Sequence, residues 1–132
     1  MTWSEFEKEI ENLATLISSP VDIIVPVVRG GLIPGRILAS KLHIKTMYAL
    51  TVVKLDDQRH VVTEITQDIT DKNILLIEDM LETGMSMLVA KEYLEKKGAH
   101  VLTACLYTRP RSKIFPDHSI RQIISVASFP WE

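Results

Sequence analysis

Residues 74–77 read Ile-Leu-Leu-Ile, large aliphatic side chains in unbroken succession. Successive side chains of a strand point to opposite faces, so a run with no polar alternate needs cover on both sides. The run predicts a buried strand over 73–78. Two further stretches carry the same signal: "DIIVPVV" at 22–28, with Pro26 an awkward member near its end, and "HVLTACLYT" at 100–108. Helical periodicity separates them. Trp3, Phe6, Ile10, Leu13 and Ile17 recur at steps of three and four, behind Thr2 and Glu5 in capping-box spacing. "GLIPGRILASKLH" (31–43) opens a second helix with Ile37, Leu38 and Leu42 inward. "GMSMLVAKEYLEKKGA" (84–99) gives a third with Met85, Leu88, Val89 and Leu94 inward, stopped by Gly98. "TMYALTVVKL" (46–55) and "HVVTEI" (60–65) read as strands joined by the polar turn "DDQR", and "IRQIISVASF" (120–129) as a last one. Buried strands alternating with helices predict an α/β fold, a mainly parallel twisted sheet flanked by helices.

No internal repeat or linker divides the chain, which reads as a single domain over 1–132. A formal net charge of −2 gives no general attraction for nucleic acid or an anionic membrane. No apolar stretch approaches the roughly 20 residues that span a bilayer, and the acidic, amphipathic N-terminus has no signal-peptide core. Cys105 is the one cysteine and lies in an apolar run, which excludes an intramolecular disulfide and predicts an inert buried thiol. These features predict a soluble, cytoplasmic protein. The histidines His43, His60, His100 and His118 lack zinc-site spacing.

The 73–78 strand ends in two acids, Glu78 and Asp79, followed by Glu82, Thr83, Gly84 and Ser86 at the start of the third helix. Ligands of open parallel sheets collect at strand carboxyl ends beside helix N-termini. Gly84 permits a tight turn, the first helical N–H groups supply donors and a positive dipole end, and the hydroxyls of Thr83 and Ser86 add more. Such a turn suits a phosphate monoester. The two acids suit a vicinal diol, or Mg²⁺ held directly or through water. A phosphorylated ribose has all of these parts. A solvated loop whose acids cap a helix remains open on residue types alone. A phosphorelay receiver is a third reading, although its acidic pair normally falls near the start of the chain.

At "LLIEDMLETGMS" the sequence resembles the type I phosphoribosyltransferases, whose signature is an apolar run, two acids, a short spacer and acid-Thr-Gly-x-Thr/Ser. "VVRGGLIPGRILASKL" (27–42) resembles the pyrophosphate-binding loop and following helix of that family, where a non-proline cis peptide often occurs. "DDQR" (56–59) resembles a mobile-loop segment of the xanthine–guanine enzymes, and "FPWE" (129–132) their tails. The resemblance spans roughly residues 20–132 in order.

The resemblance implies a type I phosphoribosyltransferase fold with a minimal hood from roughly 1–20 and 107–132. It implies transfer of the phosphoribosyl group from phosphoribosyl pyrophosphate to a nucleobase, a 6-oxopurine above all, with Mg²⁺ as cofactor, in a homodimer or homotetramer. Glu78 and Asp79 then hold the ribose hydroxyls and the metal, and Glu82, Thr83, Gly84, Met85 and Ser86 cradle the 5-phosphate. Arg29, Gly30, Gly31 and Arg59 meet the pyrophosphate, with Arg59 and Lys54 flanking a lid. Together with Glu78 and Asp79, Glu82 completes the catalytic set, in a position where the family usually carries an Asp near the base N7. Base contacts fall to Arg109, where relatives place a Lys, and to Val126, where they place a stacking aromatic; Tyr107, Phe129 or Trp131 is left to supply the stacking. A non-catalytic sensor of phosphoribosyl pyrophosphate or nucleotide on the same fold is the alternative.

Overall fold

The computed structural model describes residues 1–125 and 128–132. Three helices, α1 (Trp3–Leu16), α2 (Leu32–Leu42) and α3 (Met85–Lys96), alternate with six strands: β1 (Ile23–Val28), β2 (Leu50–Leu55), β3 (Gln58–Val61), β4 (Asn73–Leu81), β5 (His100–Thr108) and β6 (His118–Gln122). The strands form one sheet in the order β3-β2-β1-β4-β5-β6, parallel except for the β2–β3 hairpin. Among the described residues no helix is long and apolar enough to cross a membrane.

The apolar run that shaped the expectation is divided between two cores. Leu75 and Ile77 face α1 and α2, among Phe6, Ile10, Leu13, Leu38 and Leu106. Ile74 and Leu76 face the other way, toward Met87, Ala90 and Leu94 of α3. All four of these strand side chains are at most 1% exposed, each burial stabilising the fold by about 1.5–3 kcal/mol. α1 starts from a complete capping box: the Glu5 N–H donates to Thr2 Oγ1 (3.1 Å) and the Thr2 N–H to Glu5 Oε2 (2.7 Å). Its outer end joins the C-terminal segment through Phe6 and Trp131, with ring centroids 4.9 Å apart. Cys105 is fully buried, and burial pushes its thiol up, as an inert core residue requires.

Pro26 occupies a central strand without breaking it. The Ile24 N–H donates across to Thr46 O on the β2 side (3.0 Å), so the missing donor at Pro26, two residues on, points the same way. There β2 has not begun: only a lone bridge pairs Ile24 with Met47, and regular pairing starts at Val27 with Leu50. The strand predicted over 46–55 is therefore real only from Leu50. β1 ends in a cis peptide between Val28 and Arg29.

Three other expectations are corrected. "DDQR" is not a four-residue turn: Asp56 and Asp57 alone make it, with φ of 49° and 61°, and Gln58 and Arg59 already pair with Leu55 and Lys54. Both positive φ values match the two-residue turn that follows strand twist, so β3 begins earlier than the predicted 60–65. β6 likewise begins at His118 rather than at Ile120. The Thr103 N–H donates to Asp117 Oδ2 (2.8 Å) and the Asp117 N–H to Thr103 Oγ1 (3.0 Å), which sets this register. On α3 the buried stripe is Met87, Ala90 and Leu94, whereas Met85, Leu88 and Val89 are half-buried.

Candidate functional site

β1 and β4 are neighbours, and the chain leaves them in opposite directions: β1 through α2 to β2 on one side, β4 through α3 to β5 on the other. The two helices also pack on opposite faces. This divergence opens a crevice at the strand carboxyl ends, where open α/β sheets bind ligands.

One wall is the β1–α2 junction of Arg29, Gly30 and Gly31. Gly31 is the N-cap of α2, with no side-chain cap and no acid in the first turn. Neither glycine has room for a side chain. A methyl at Gly31 would collide with the Ile77 carbonyl oxygen and lie 2.9 Å from Val27 N and O. One at Gly30 would sit 2.6 Å from Asp79 Cγ and 2.7 Å from Oδ2. The bare backbone of Gly30 thus lies directly against the Asp79 carboxylate.

The other wall is the end of β4 and the turn into α3. Glu78 and Asp79 lie within the strand, which runs to Leu81. Gly84, with φ of 82°, caps α3, again without a side-chain cap or a first-turn acid. Thr83 Oγ1 lies 3.4 Å from the Met85 N–H. With no acid in its first turn α3 keeps an unneutralised positive pole, and Thr83 Oγ1 takes up only the Met85 N–H. Met85 and Ser86 of this turn are half-buried.

Burial dominates the electrostatics of the acidic pair. Glu78 is pushed up to about 8, by burial first and the charge of Asp79 second, against the opposing charge of Arg59. Burial also lifts Asp79 above the usual carboxylate range and Glu132 adds to the lift, while the Met80 N–H, donating to Asp79 Oδ1 at 2.7 Å, pulls it back. The sheet-edge residue Arg59 is thus electrostatically coupled to the site from β3. A cavity of about 620 Å³ lies here, lined by Arg29, Gly30, Asp79, Trp131 and Glu132.

Residues 109–114 lie over the turn. The Arg109 N–H donates to Leu81 O (2.9 Å) and the Lys113 N–H to Thr83 O (2.8 Å). Arg111 Nε and Nη2 both donate to Glu82 Oε2, at 3.1 and 2.7 Å, and Arg109 Nη1 lies 3.6 Å from Glu82 Oε1. Phe129 is 3% exposed, packed with Tyr107 and Trp131 in an aromatic stack. Val126 falls outside the described residues. A second cavity of about 500 Å³, between α1 and β6, is lined by Tyr107, one of the stacking candidates, and by none of the other expected site residues. Within it Glu9 accepts from both Tyr107 Oη and Arg121.

Arg29, Gly30 and Asp79 thus share one cavity, Gly31 and Glu78 adjoin them in the chain, and the 82–86 turn follows at the end of the same strand, with Arg109 joined through Glu82. Sequence reasoning left out Arg111 and placed neither Trp131 nor Glu132 beside Asp79. The "FPWE" tail was the available signal for the latter two; Arg111 had none. Among the described residues no cluster of three or more His, Cys, Asp or Glu could hold a metal. Glu78 and Asp79 are consecutive in β4 and start toward opposite faces, so a Mg²⁺ here would be reached through water and substrate oxygens rather than clasped by both carboxylates.

Comparison with known proteins agrees with this geometry. The family model of the phosphoribosyl transferase domain matches residues 2–132. The xanthine-guanine phosphoribosyltransferase of Gluconobacter oxydans is 24% identical over 143 residues, covering 100% of this chain and 83% of that protein. The purine phosphoribosyltransferase of Pyrococcus horikoshii superposes with a TM-score of 0.93 at 29% identity, over 100% of this chain and 91% of the other. The xanthine-guanine-hypoxanthine phosphoribosyltransferase of Helicobacter pylori shares the fold, with a TM-score of 0.89 at 19% identity over 99% and 91%. This chain belongs to the phosphoribosyl transferase domain family.

Proposed function

We propose that the protein transfers the phosphoribosyl group of phosphoribosyl pyrophosphate to a 6-oxopurine, releasing pyrophosphate and a nucleoside 5-monophosphate. The observation that carries this reading is the pairing of two uncapped strand-to-helix junctions on adjacent strands with an acidic pair between them. A ligand with phosphate at one end, pyrophosphate at the other and a diol between them uses all three.

In this reading the N–H groups and hydroxyls of residues 82–86 hold the 5-phosphate at the N-terminus of α3. Glu78 and Asp79 accept hydrogen bonds from the ribose hydroxyls and orient the anomeric carbon. Arg29, Gly30 and Gly31 meet the pyrophosphate, the glycines by backbone approach and the arginine by paired N–H donors. Arg59 adds positive charge on the same side. The C1–O bond to pyrophosphate breaks with its electron pair leaving on oxygen, the purine nitrogen bonds to C1, and its proton departs. Bound through Glu78, Asp79 and substrate oxygens, Mg²⁺ would supply charge neutralisation for the leaving pyrophosphate. The hood formed by roughly 1–20 and 107–132, a homodimer or homotetramer and a cytoplasmic setting complete the proposal.

The relatives named above are transferases, which favours turnover over a non-catalytic sensor. Calorimetric titration with phosphoribosyl pyrophosphate and Mg²⁺ tests the site, with one ligand per chain expected. Asp79→Asn should weaken binding by about 10- to 100-fold, the loss of hydrogen bonds to a charged acceptor. Equal affinity in wild type and variant would place the ligand elsewhere.

A further inference from the structure

The resemblance leaves Tyr107, Phe129 or Trp131 to stack on a base. Tyr107 and Phe129 are 2% and 3% exposed, so neither has a free face for a ligand. They stack on each other instead, with centroids 6.1 Å apart and 9° between planes, and Trp131 lies on Phe129 at 4.8 Å and 5°. The Glu132 N–H donates to Phe129 O (3.1 Å), closing a turn with Pro130 at its second position, which the fixed φ of proline suits. The stack and the turn together fix the Trp131 indole.

Of the three rings only Trp131 lines the cavity beside Asp79. An indole has one polar group, its N–H, and that group can only donate. Here it donates to the Asp79 carboxylate, favouring the charged form against the lift from burial. Asp79 is thereby held from three directions. The Met80 N–H donates to Oδ1 at 2.7 Å, the Gly30 backbone lies too close to admit a Cβ, and Trp131 meets the carboxylate from the C-terminal segment. An ionised carboxylate has about four acceptor positions, so these donors fix its plane and leave the remainder for a diol. An acceptor oriented before its ligand arrives loses less entropy on binding.

We propose that Trp131 is the positioning residue of the ribose subsite: its indole N–H holds the Asp79 carboxylate in the orientation that accepts the ribose hydroxyls, and the Tyr107–Phe129 stack holds the indole. Resting on the reading of Asp79 as the diol acceptor, this gives the C-terminal turn a role in sugar recognition rather than in base stacking.

The test pairs calorimetric titration of ribose 5-phosphate with the indole ¹H–¹⁵N spectrum. Ribose 5-phosphate carries the diol and the phosphate but neither base nor pyrophosphate. Trp3 and Trp131 are the only tryptophans, so the spectrum holds one indole signal for each, and Trp3→Phe assigns them. In Asp79→Asn the Trp131 signal should move while the Trp3 signal stays in place, because a neutral amide oxygen is a weaker acceptor than a carboxylate. This arm changes nothing at Trp131, so it decides even where Trp131→Phe is unstable. Trp131→Phe keeps a ring in the stack and removes the donor. It should bind ribose 5-phosphate about three- to tenfold more weakly, whereas Trp3→Phe should bind as wild type does. Because Trp131 acts through Asp79, the Asp79→Asn/Trp131→Phe double variant should bind no more weakly than Asp79→Asn alone. A Trp131 signal indifferent to Asp79→Asn, wild-type affinity in Trp131→Phe, or losses that multiply in the double variant would each overturn the assignment. A wild type that ignores ribose 5-phosphate, with a Trp131 signal that still answers to Asp79→Asn, would sink the ribose reading and leave the hold of Trp131 on Asp79 standing.

Discussion

A Gly30→Ala substitution places a methyl group 2.6 Å from Asp79 Cγ and 2.7 Å from Oδ2. The nearest colliding atoms all belong to the Asp79 carboxylate, so Asp79 must turn and give up the bond from Met80 N–H to Oδ1 (2.7 Å). A hydrogen bond of this kind contributes about 1 kcal/mol net, and the released carboxylate gains solvation that offsets part of it. Global stability should therefore fall by no more than about 1 kcal/mol. Ligand binding should suffer more: losing hydrogen bonds to a charged acceptor costs about 1.5–3 kcal/mol, roughly 10- to 150-fold in Kd. Ribose 5-phosphate is the right probe, because it has the diol and the phosphate but lacks the pyrophosphate that Gly30 itself is proposed to meet. Gly31→Ala is the contrast. Its methyl meets the Ile77 carbonyl and the Val27 backbone, which cannot rotate away, so it should destabilise the fold by about 1–3 kcal/mol or more. Urea unfolding beside calorimetry separates the two. If Gly30→Ala unfolds as readily as Gly31→Ala, or binds ribose 5-phosphate as wild type does, the contact between Gly30 and Asp79 is not what shapes this site.

Two further outcomes follow from the same geometry. Glu78 has a folded pKa of about 8, above the usual unfolded carboxyl value, so the folded chain binds this proton more tightly. Stability from this group is then greatest at low pH and declines as pH rises toward 8. Between pH 6 and 8, Glu78→Gln should gain about 2 kcal/mol over wild type in the ligand-free, metal-free protein; urea midpoints that track each other across this range would contradict it. Thr2→Ala removes the acceptor of the α1 capping box and should lower stability by about 1 kcal/mol, with ribose 5-phosphate affinity unchanged; a shift in affinity would mean that α1 acts on the site.

What was legible in the sequence was what neighbouring residues decide among themselves. The run at 74–77 demanded cover on both faces and received it from opposite cores. The acid pair, Gly84 and the helix start are consecutive, so their placement at a strand end could be read directly. Edge elements were less legible. β3 and β6 are mostly exposed or half-buried, so their limits depend on the Asp56–Asp57 turn and the Thr103–Asp117 bonds rather than on an apolar signal. α3 was misread because residues 85–90 are apolar on nearly every side, and only the sheet beneath selects Met87 and Ala90. Long-range contacts left no periodic mark at all. Glu82 and Arg111 are 29 residues apart, and Trp131 and Glu132 reach Asp79 only after the chain has folded back.

The central claim is that the two junctions and the acidic pair support phosphoribosyl transfer to a purine. The most direct measurement is chromatographic detection of nucleoside 5-monophosphate, with pyrophosphate quantified alongside, after incubating the protein with phosphoribosyl pyrophosphate, Mg²⁺ and xanthine, guanine, hypoxanthine or adenine in turn. The account predicts equimolar nucleotide and pyrophosphate with at least one 6-oxopurine, far less with adenine, and a large loss in Asp79→Asn. Saturable binding of phosphoribosyl pyrophosphate with no nucleotide from any base would contradict it.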